Sequence, residues 1–447
     1  VRGLKTKLIN LKNRLSRSFI FLAFLILFIQ CIFIFGLGSC SAFGPDETVY
    51  LKVFKGIEVG YSFAGTHELI YKAYYLPGKS FTMMGFSEIQ SLRLSSVFWS
   101  QLTVFFIWQT LGKSNVFKLR TVDKFLILLF PSAILFLSLG LREALLFFLL
   151  TFIFYSYSLI IKNHIVVGTV FLSSGFILLS FTKFYLYLIV LASLLILVIF
   201  YKKFNSKIFI LMFAAIPSLA LNQSLVLDQI SQLRIDFNSD YQLLSNYDLF
   251  SFGSESSTLQ QLRVCSNQNL FGFLGAPINL LLEATSTPEV SAPEVSAPEV
   301  SAPEVSAPEV SNTDFYAADK PRELIVLSHF PLSLVNFMFG PIPGIGGGFT
   351  FLGLLDSIGW LGIYVFFTLI LIGKNRYRLI FDEISLFAAS FFLIFTFLSA
   401  AIEVNSGTLF RHRTLLLIPL LILLSRLVDR SETTPVSSPD TPGNYNQ

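Results

Sequence analysis

Long apolar runs separated by short basic stretches set the rhythm of this chain, and each run has about the length of a bilayer crossing. The run over residues 125–161 shows the pattern most clearly, because its only charges are an adjacent pair near the middle, Arg142 and Glu143. As one helix it would measure roughly 55 Å at 1.5 Å per residue, against ~30 Å of hydrocarbon. It must therefore fold back on itself. Gly140 is the expected corner, leaving 125–139 as one span and 144–161 as the next, with the charged pair at the turn. An ionised pair in that place reads either as a water-facing corner or as a working site.

The same pattern predicts spans over 18–39, 92–111, 165–180, 184–200, 208–221, 349–373, 379–401 and 414–428, which makes about ten helices of bilayer length. Residues 1–17 are basic and amphipathic, and Lys113, Lys118, Arg120, Lys124, Lys162, Lys202, Lys203, Lys207, Lys374, Arg376 and Arg378 flank alternate spans. The positive-inside bias puts all of these on the cytoplasmic side, together with both termini. The expected fold class is thus an all-α integral membrane protein with transmembrane helices over 18–221 and 349–428, and two large outer segments, 40–91 and 222–348. Within the second, Pro-Glu-Val recurs every five residues across 285–312. Proline at that spacing excludes regular helix, so the tract reads as an extended, solvated spacer. Residues 330–348 are apolar but interrupted by proline and glycine, which suits a re-entrant or interfacial stretch. The hydrophilic stretch 429–447 reads as a disordered cytoplasmic tail.

Composition sharpens this picture. Hydrophobic residues make up 53% of the chain and charged residues 13%, more apolar surface than a soluble protein of this size can hide. The net charge of +4 is small, and the basic residues fall beside apolar runs, so they are topology signals and nucleic acid is not an expected partner. Three cysteines, Cys31, Cys40 and Cys265, provide neither metal spacing nor a disulfide framework. No cofactor or metal site is expected, and a need for a divalent ion stays open.

The candidate chemistry comes from charges that break the sidedness rule. Short outer turns should lack Lys and Arg, yet they hold Arg142, Lys183, Arg411 and Arg413. Four such exceptions on one face suggest that something anionic is held there. The alternative is that these side chains snorkel into outer-leaflet headgroups, which suits Lys183 best and Arg142, beside Glu143 in a short turn, least. The triplet Arg411-His412-Arg413 is expected at the start of a helix, where two guanidinium groups and an imidazole match the phosphates of a diphosphate. Asp46 and Glu47 lie just beyond the first span. A carboxylate there reads as a general base on a sugar hydroxyl while the cations stabilise a departing phosphate. It reads equally as part of a turn, since Gly44-Pro45-Asp46 is good turn chemistry.

Four stretches, GPDETVY, FPSAILFLSLGLREALLFF, FTKFYLYL and SGTLFRHRTLLLIP, together resemble the bacterial polytopic glycosyltransferases of the GT-C type and the related O-antigen (oligosaccharide repeat unit) polymerases. The resemblance implies a multi-pass protein of the bacterial cytoplasmic membrane, a polyprenyl-linked sugar donor entering from the lipid bilayer, and a glycan acceptor. It implies that Asp46, with Glu47 in reserve, acts on the acceptor and that Arg142, Arg411 and Arg413 contact the lipid phosphate; beside these, His412 is a further catalytic candidate, and Glu143 and Lys183 are further candidates for the phosphate contact. Two features depart from it: a lysine in the central turn where comparable proteins have arginine, and the Pro-Glu-Val spacer. A transporter or flippase of lipid-linked oligosaccharide would use the same cations without cleaving a bond. Because midplane positions hold almost no ionisable group, the sequence favours chemistry at one face.

Overall fold

The computed structural model describes residues 17–35, 44–56, 68–111, 130–200, 214–216, 331, 334–335, 337–339, 349–372, 377–379, 382–402 and 406–429. The basic stretch 1–16, the spacer 285–312, the tail 430–447, most of the expected span 208–221 and most of 330–348 lie outside the described residues, as do Cys40 and Cys265. Among the described residues the fold is helical apart from one three-residue strand pair.

The helices are α1 (Arg17–Phe35), α2 (Gly44–Lys55), α3 (Glu68–Met83), α4 (Glu88–Leu111), α5 (Pro131–Ser138), α6 (Glu143–Ile161), α7 (Ile165–Thr182), α8 (Phe184–Phe200), α9 (Phe349–Ile372), α10 (Glu383–Ile402), α11 (Ser406–Leu415) and α12 (Leu417–Leu424). The strands β1 (Tyr377–Leu379) and β2 (Leu427–Asp429) pair antiparallel, with Arg378 opposite Val428. Among the described residues three helices are long and apolar enough to cross a membrane: α6, α7, and α10 over Glu383–Ala400. Shorter apolar stretches run over Ala23–Ile32, Phe184–Leu197 and Leu355–Phe366.

Helix α6 is the axis of the fold. Of its membrane-crossing length 72% is buried, against 39% for its neighbour α7, and it packs on α4, α5, α7 and α10. Outward positions carry Val166, Val167 and Val170 on α7, Leu361, Val365 and Leu369 on α9, and Leu393 and Phe397 on α10. An exterior built of such side chains is stable against hydrocarbon and unstable against water.

The short connections fix how the helices run. Asn163, with φ +66°, takes the left-handed position that ends α6, and His164 N–H donates to the Leu159 carbonyl at 2.9 Å. The chain then reverses into α7. At the far end a single extended residue, Lys183, separates α7 from α8. Helix α10 runs back along α6, since Phe387 packs on Phe154 and Tyr157 while Phe395, two turns on, packs on His412. The molecule therefore has two polar ends. One carries residues 162–164, the Tyr157–Glu383 hydrogen bond of 3.2 Å, the Arg426–Asp382 ion pair of 3.1 Å and the strand pair. The other carries the α5–α6 corner, Lys183 and residues 411–413.

Several boundaries differ from the sequence expectation. The described part of segment 40–91 is largely helical, forming α2, α3 and the start of α4; α2 forms there because Pro45 fits the first turn of a helix as well as it fits a reverse turn. The last expected span is divided at Leu416 into α11 and α12. Pro419 explains the break: a prolyl ring tolerates only the first turn of a helix and opposes the carbonyl four residues earlier, here that of Leu415. As a result Arg411, His412 and Arg413 stand in the last turns of α11 rather than at a helix start. The field there is the negative end of the helix, which suits these cations but removes the helix terminus as their helper in binding an anion.

Candidate functional site

The α5–α6 corner, residues 139–143, is gripped from several sides. Leu139 leaves α5 in an extended conformation, and Gly140 then passes so close to α4 that an added Cβ would stand 2.3 Å from Leu92 Cγ. Only glycine fits. Its N–H donates to Glu47 Oε1 at 2.8 Å. The Leu141 carbonyl accepts from the Tyr74 hydroxyl at 2.6 Å, and that hydroxyl also meets Ser96 Oγ at 2.6 Å. Burial, reinforced by the negative charges of Glu143 and Glu47, raises the Tyr74 phenol far above its usual range, so it remains a donor.

Glu47 is fully buried and receives a two-pronged contact from Arg93, Nε to Oε1 and Nη2 to Oε2, each 2.8 Å. Paired forks of this kind are the strongest charge-assisted hydrogen bonds a protein makes. With both oxygens engaged and none exposed, Glu47 anchors the corner and is not placed to take a proton from a substrate. Asp46 lies one residue earlier in the first turn of α2; its side chain is outside the described atoms.

On the other side of the corner five charged or titratable groups converge. Arg142 caps α6 and Glu143 opens it. Arg411 Nε stands 3.0 Å from Glu143 Oε1, an ion pair without the angle of a hydrogen bond. Glu143 also lies in the fields of Lys183, Arg142 and His412. Exposure divides the group: Glu143, Lys183 and His412 are buried, whereas Arg142 is half-buried and the Arg411 side chain is 13% exposed. The two guanidinium groups are what an arriving anion would meet.

His412 and Lys183 touch directly, Nε2 to Nζ. The contact joins an ammonium, which can only donate, to an imidazole nitrogen. Tyr185 closes the arrangement, with its hydroxyl 3.1 Å from His412 Nε2 and its ring 4.8 Å beneath the Lys183 ammonium. Nε2 of His412, a catalytic candidate from the sequence, is thus engaged by Lys183 and Tyr185.

Arg413 belongs to neither group. It is fully buried, pairs with Asp356 Oδ2 through Nη2 at 2.5 Å, donates from Nη1 to the carbonyls of Met338 at 3.2 Å and Phe337 at 3.4 Å, and lies 5.6 Å from the Trp360 ring. Asp356 Oδ1 accepts from the Ser132 N–H at 3.3 Å, which ties α9 to the start of α5. The expected contact between Arg413 and a lipid phosphate is therefore replaced by an internal one.

Of the residues expected from sequence, the fold brings together Arg142, Glu143, Lys183, Arg411 and His412, and turns Glu47 and Arg413 to internal pairs. Arg93, Asp356, Tyr74 and Tyr185 went unrecognised. For Asp356 a signal was present, since it is the sole acidic residue between 349 and 373, and a lone carboxylate in an apolar helix points to a partner. Among the described residues no group of three or more His, Cys, Asp and Glu side chains is arranged to hold a metal. The class defined by fold and site is a helical protein with membrane-crossing helices around a buried, predominantly cationic centre. Compared with protein-family models, curated proteins and solved structures, the chain matches none.

Proposed function

We propose that the protein is a glycosyltransferase or glycan polymerase embedded in the bacterial cytoplasmic membrane. It moves a saccharide from a polyprenyl phosphate or diphosphate carrier to an acceptor glycan at the outer face, as a step in surface polysaccharide assembly. The observation that carries this reading is the convergence of Arg142, Lys183 and Arg411 on one corner, at the end of the bundle opposite Lys162, Arg378 and Arg426. Preorganised cations at the mouth of a low-dielectric site stabilise the negative charge that develops on a departing phosphate. Arg142 and Arg411 are the cations at the surface of the cluster, and Lys183, held by His412 and Tyr185, backs them. On this reading Asp46 remains the carboxylate for the acceptor in the outer segment, and the multi-pass topology has the corner outside.

The alternative is a transporter or flippase of lipid-linked oligosaccharide. The buried Asp356–Arg413 pair, which joins α9 to α11, favours it, because buried ion pairs recur where helices rearrange around a substrate. Purified protein in liposomes, supplied with a polyprenyl-diphosphate-linked oligosaccharide and an acceptor glycan, separates the two. Release of free carrier lipid with extension of the acceptor is the expected result. Movement of intact donor between leaflets without release favours the transporter and removes the enzyme.

A further inference from the structure

Glu143 presents a combination that the phosphate-binding reading leaves unused. Its carboxylate has no exposed surface, and among the described residues neither oxygen accepts a hydrogen bond. The neighbouring Arg411 Nε contributes charge at 3.0 Å but not a hydrogen-bond angle. A buried carboxylate ordinarily fills its lone pairs, because each unmet acceptor forfeits hydration without recompense. Glu47, a few ångströms across the same corner, illustrates the normal state with three donors on its two oxygens. A site meant for a phosphate alone would have no use for an anion at its centre, since Glu143 repels what Arg142, Lys183 and Arg411 attract.

From this we infer that the corner recognises an anionic head group that also carries hydroxyl donors, a sugar phosphate, with Glu143 accepting hydrogen bonds from the sugar while Arg142 and Arg411 hold the phosphate. The assignment rests on the proposed function for its setting and narrows it: the centre reads the sugar next to the phosphate, not the lipid phosphate in general. Arg142 and Arg411 reach the surface of the cluster, so the ligand engages them first, and their turning outward onto its phosphate opens the carboxylate to the sugar. Discrimination arises because a ligand lacking hydroxyls leaves the acceptor unsatisfied and the like charge uncompensated.

The test measures binding of two probes, inorganic phosphate and glucose 1-phosphate, to the full-length protein in detergent, for the wild type, Glu143→Gln, Glu143→Leu and Arg411→Ala. The wild type is expected to prefer glucose 1-phosphate by about tenfold, the effect of roughly one charge-assisted hydrogen bond. Glu143→Leu is expected to bind inorganic phosphate at least as tightly as the wild type while losing the preference. Glu143→Gln, which keeps one acceptor oxygen, is expected to fall between. Arg411→Ala should weaken both probes together. A purely structural Glu143 would instead lower the two affinities in parallel, and that result, or equal binding of both probes by the wild type, overturns the inference while leaving the phosphate site standing. A wild type that keeps the preference but never releases carrier lipid overturns the proposed reaction and leaves the inference intact. Binding of neither probe contradicts both.

Discussion

At the scale of single residues the fold is governed by where its charges are spent. Two ion pairs, Glu47–Arg93 and Asp356–Arg413, are almost wholly excluded from solvent. Removing one member of such a pair leaves a buried charge without compensation, at a cost of about 3–5 kcal/mol. Asp356→Leu and Arg413→Leu are each expected to lower the unfolding temperature strongly, and the double variant to lose less than the sum of the two. Strict additivity in thermal unfolding would mean that the pair is not the unit described. His412 is expected to behave differently. Glutamine at that position offers an acceptor oxygen to Lys183 and should preserve phosphate affinity, whereas His412→Phe should weaken it; if glutamine fails as badly as phenylalanine, the imidazole acts as more than an acceptor. The sequence made Arg142, Lys183 and Arg411 legible because each violates the charge bias of its turn, and Glu143 because it stands beside Arg142 in an otherwise apolar run. It hid Arg93, whose meaning lies in a partner 46 positions away, and of Asp356 it showed the anomaly but not the partner, 57 positions away.

The elements were legible wherever hydropathy and a turn residue agree. The expected spans over 165–180, 184–200 and 349–373 correspond closely to α7, α8 and α9, since long apolar runs bounded by Lys183 or basic stretches leave little choice. Where packing decides, the sequence was a poorer guide. The helices inside 40–91 were missed because α2 has a mixed, polar composition, and the break at Leu416 because a hydropathy window passes over Pro419. Glycines divide by the same logic. An added Cβ at Gly168 would meet Ile160 N and the Ser156 carbonyl at 3.0 Å each, backbone atoms that cannot yield, whereas at Gly362 it would meet nothing within 4 Å. Gly168→Ala should therefore push α7 from α6 and destabilise the protein by about 1–3 kcal/mol. Gly362→Ala should be neutral or gain up to about 1 kcal/mol of helix propensity. Thermal unfolding of the two variants checks the contrast, and equal effects would contradict the helix packing described.

Over the whole molecule, an apolar exterior and two polar ends describe a protein that stands across a bilayer. The corner that gathers Arg142, Glu143, Lys183 and Arg411 occupies one end, and the strand pair with Arg426 and Asp382 the other. Charge bias in the sequence predicts that the second end faces the cytoplasm. In a background with Cys31, Cys40 and Cys265 replaced by serine, a cysteine at Met84 should react with an impermeant maleimide from outside intact cells, and one at Asn163 only after permeabilisation. Reversed labelling would place the corner on the wrong side for outer-face chemistry. Most helix positions are thus written in hydropathy; the convergence of distant charges on one corner is a property of packing and had to be seen.

The most direct measurement is the release of free carrier from a polyprenyl-diphosphate-linked oligosaccharide by purified wild-type protein and by Arg142→Ala, Arg411→Ala and Lys162→Ala. Losing a preorganised charge beside a departing phosphate costs on the order of a hundredfold in rate. The account predicts losses of that size for Arg142→Ala and Arg411→Ala and none for Lys162→Ala at the opposite end. No release by the wild type, or equal rates in all four proteins, would contradict it.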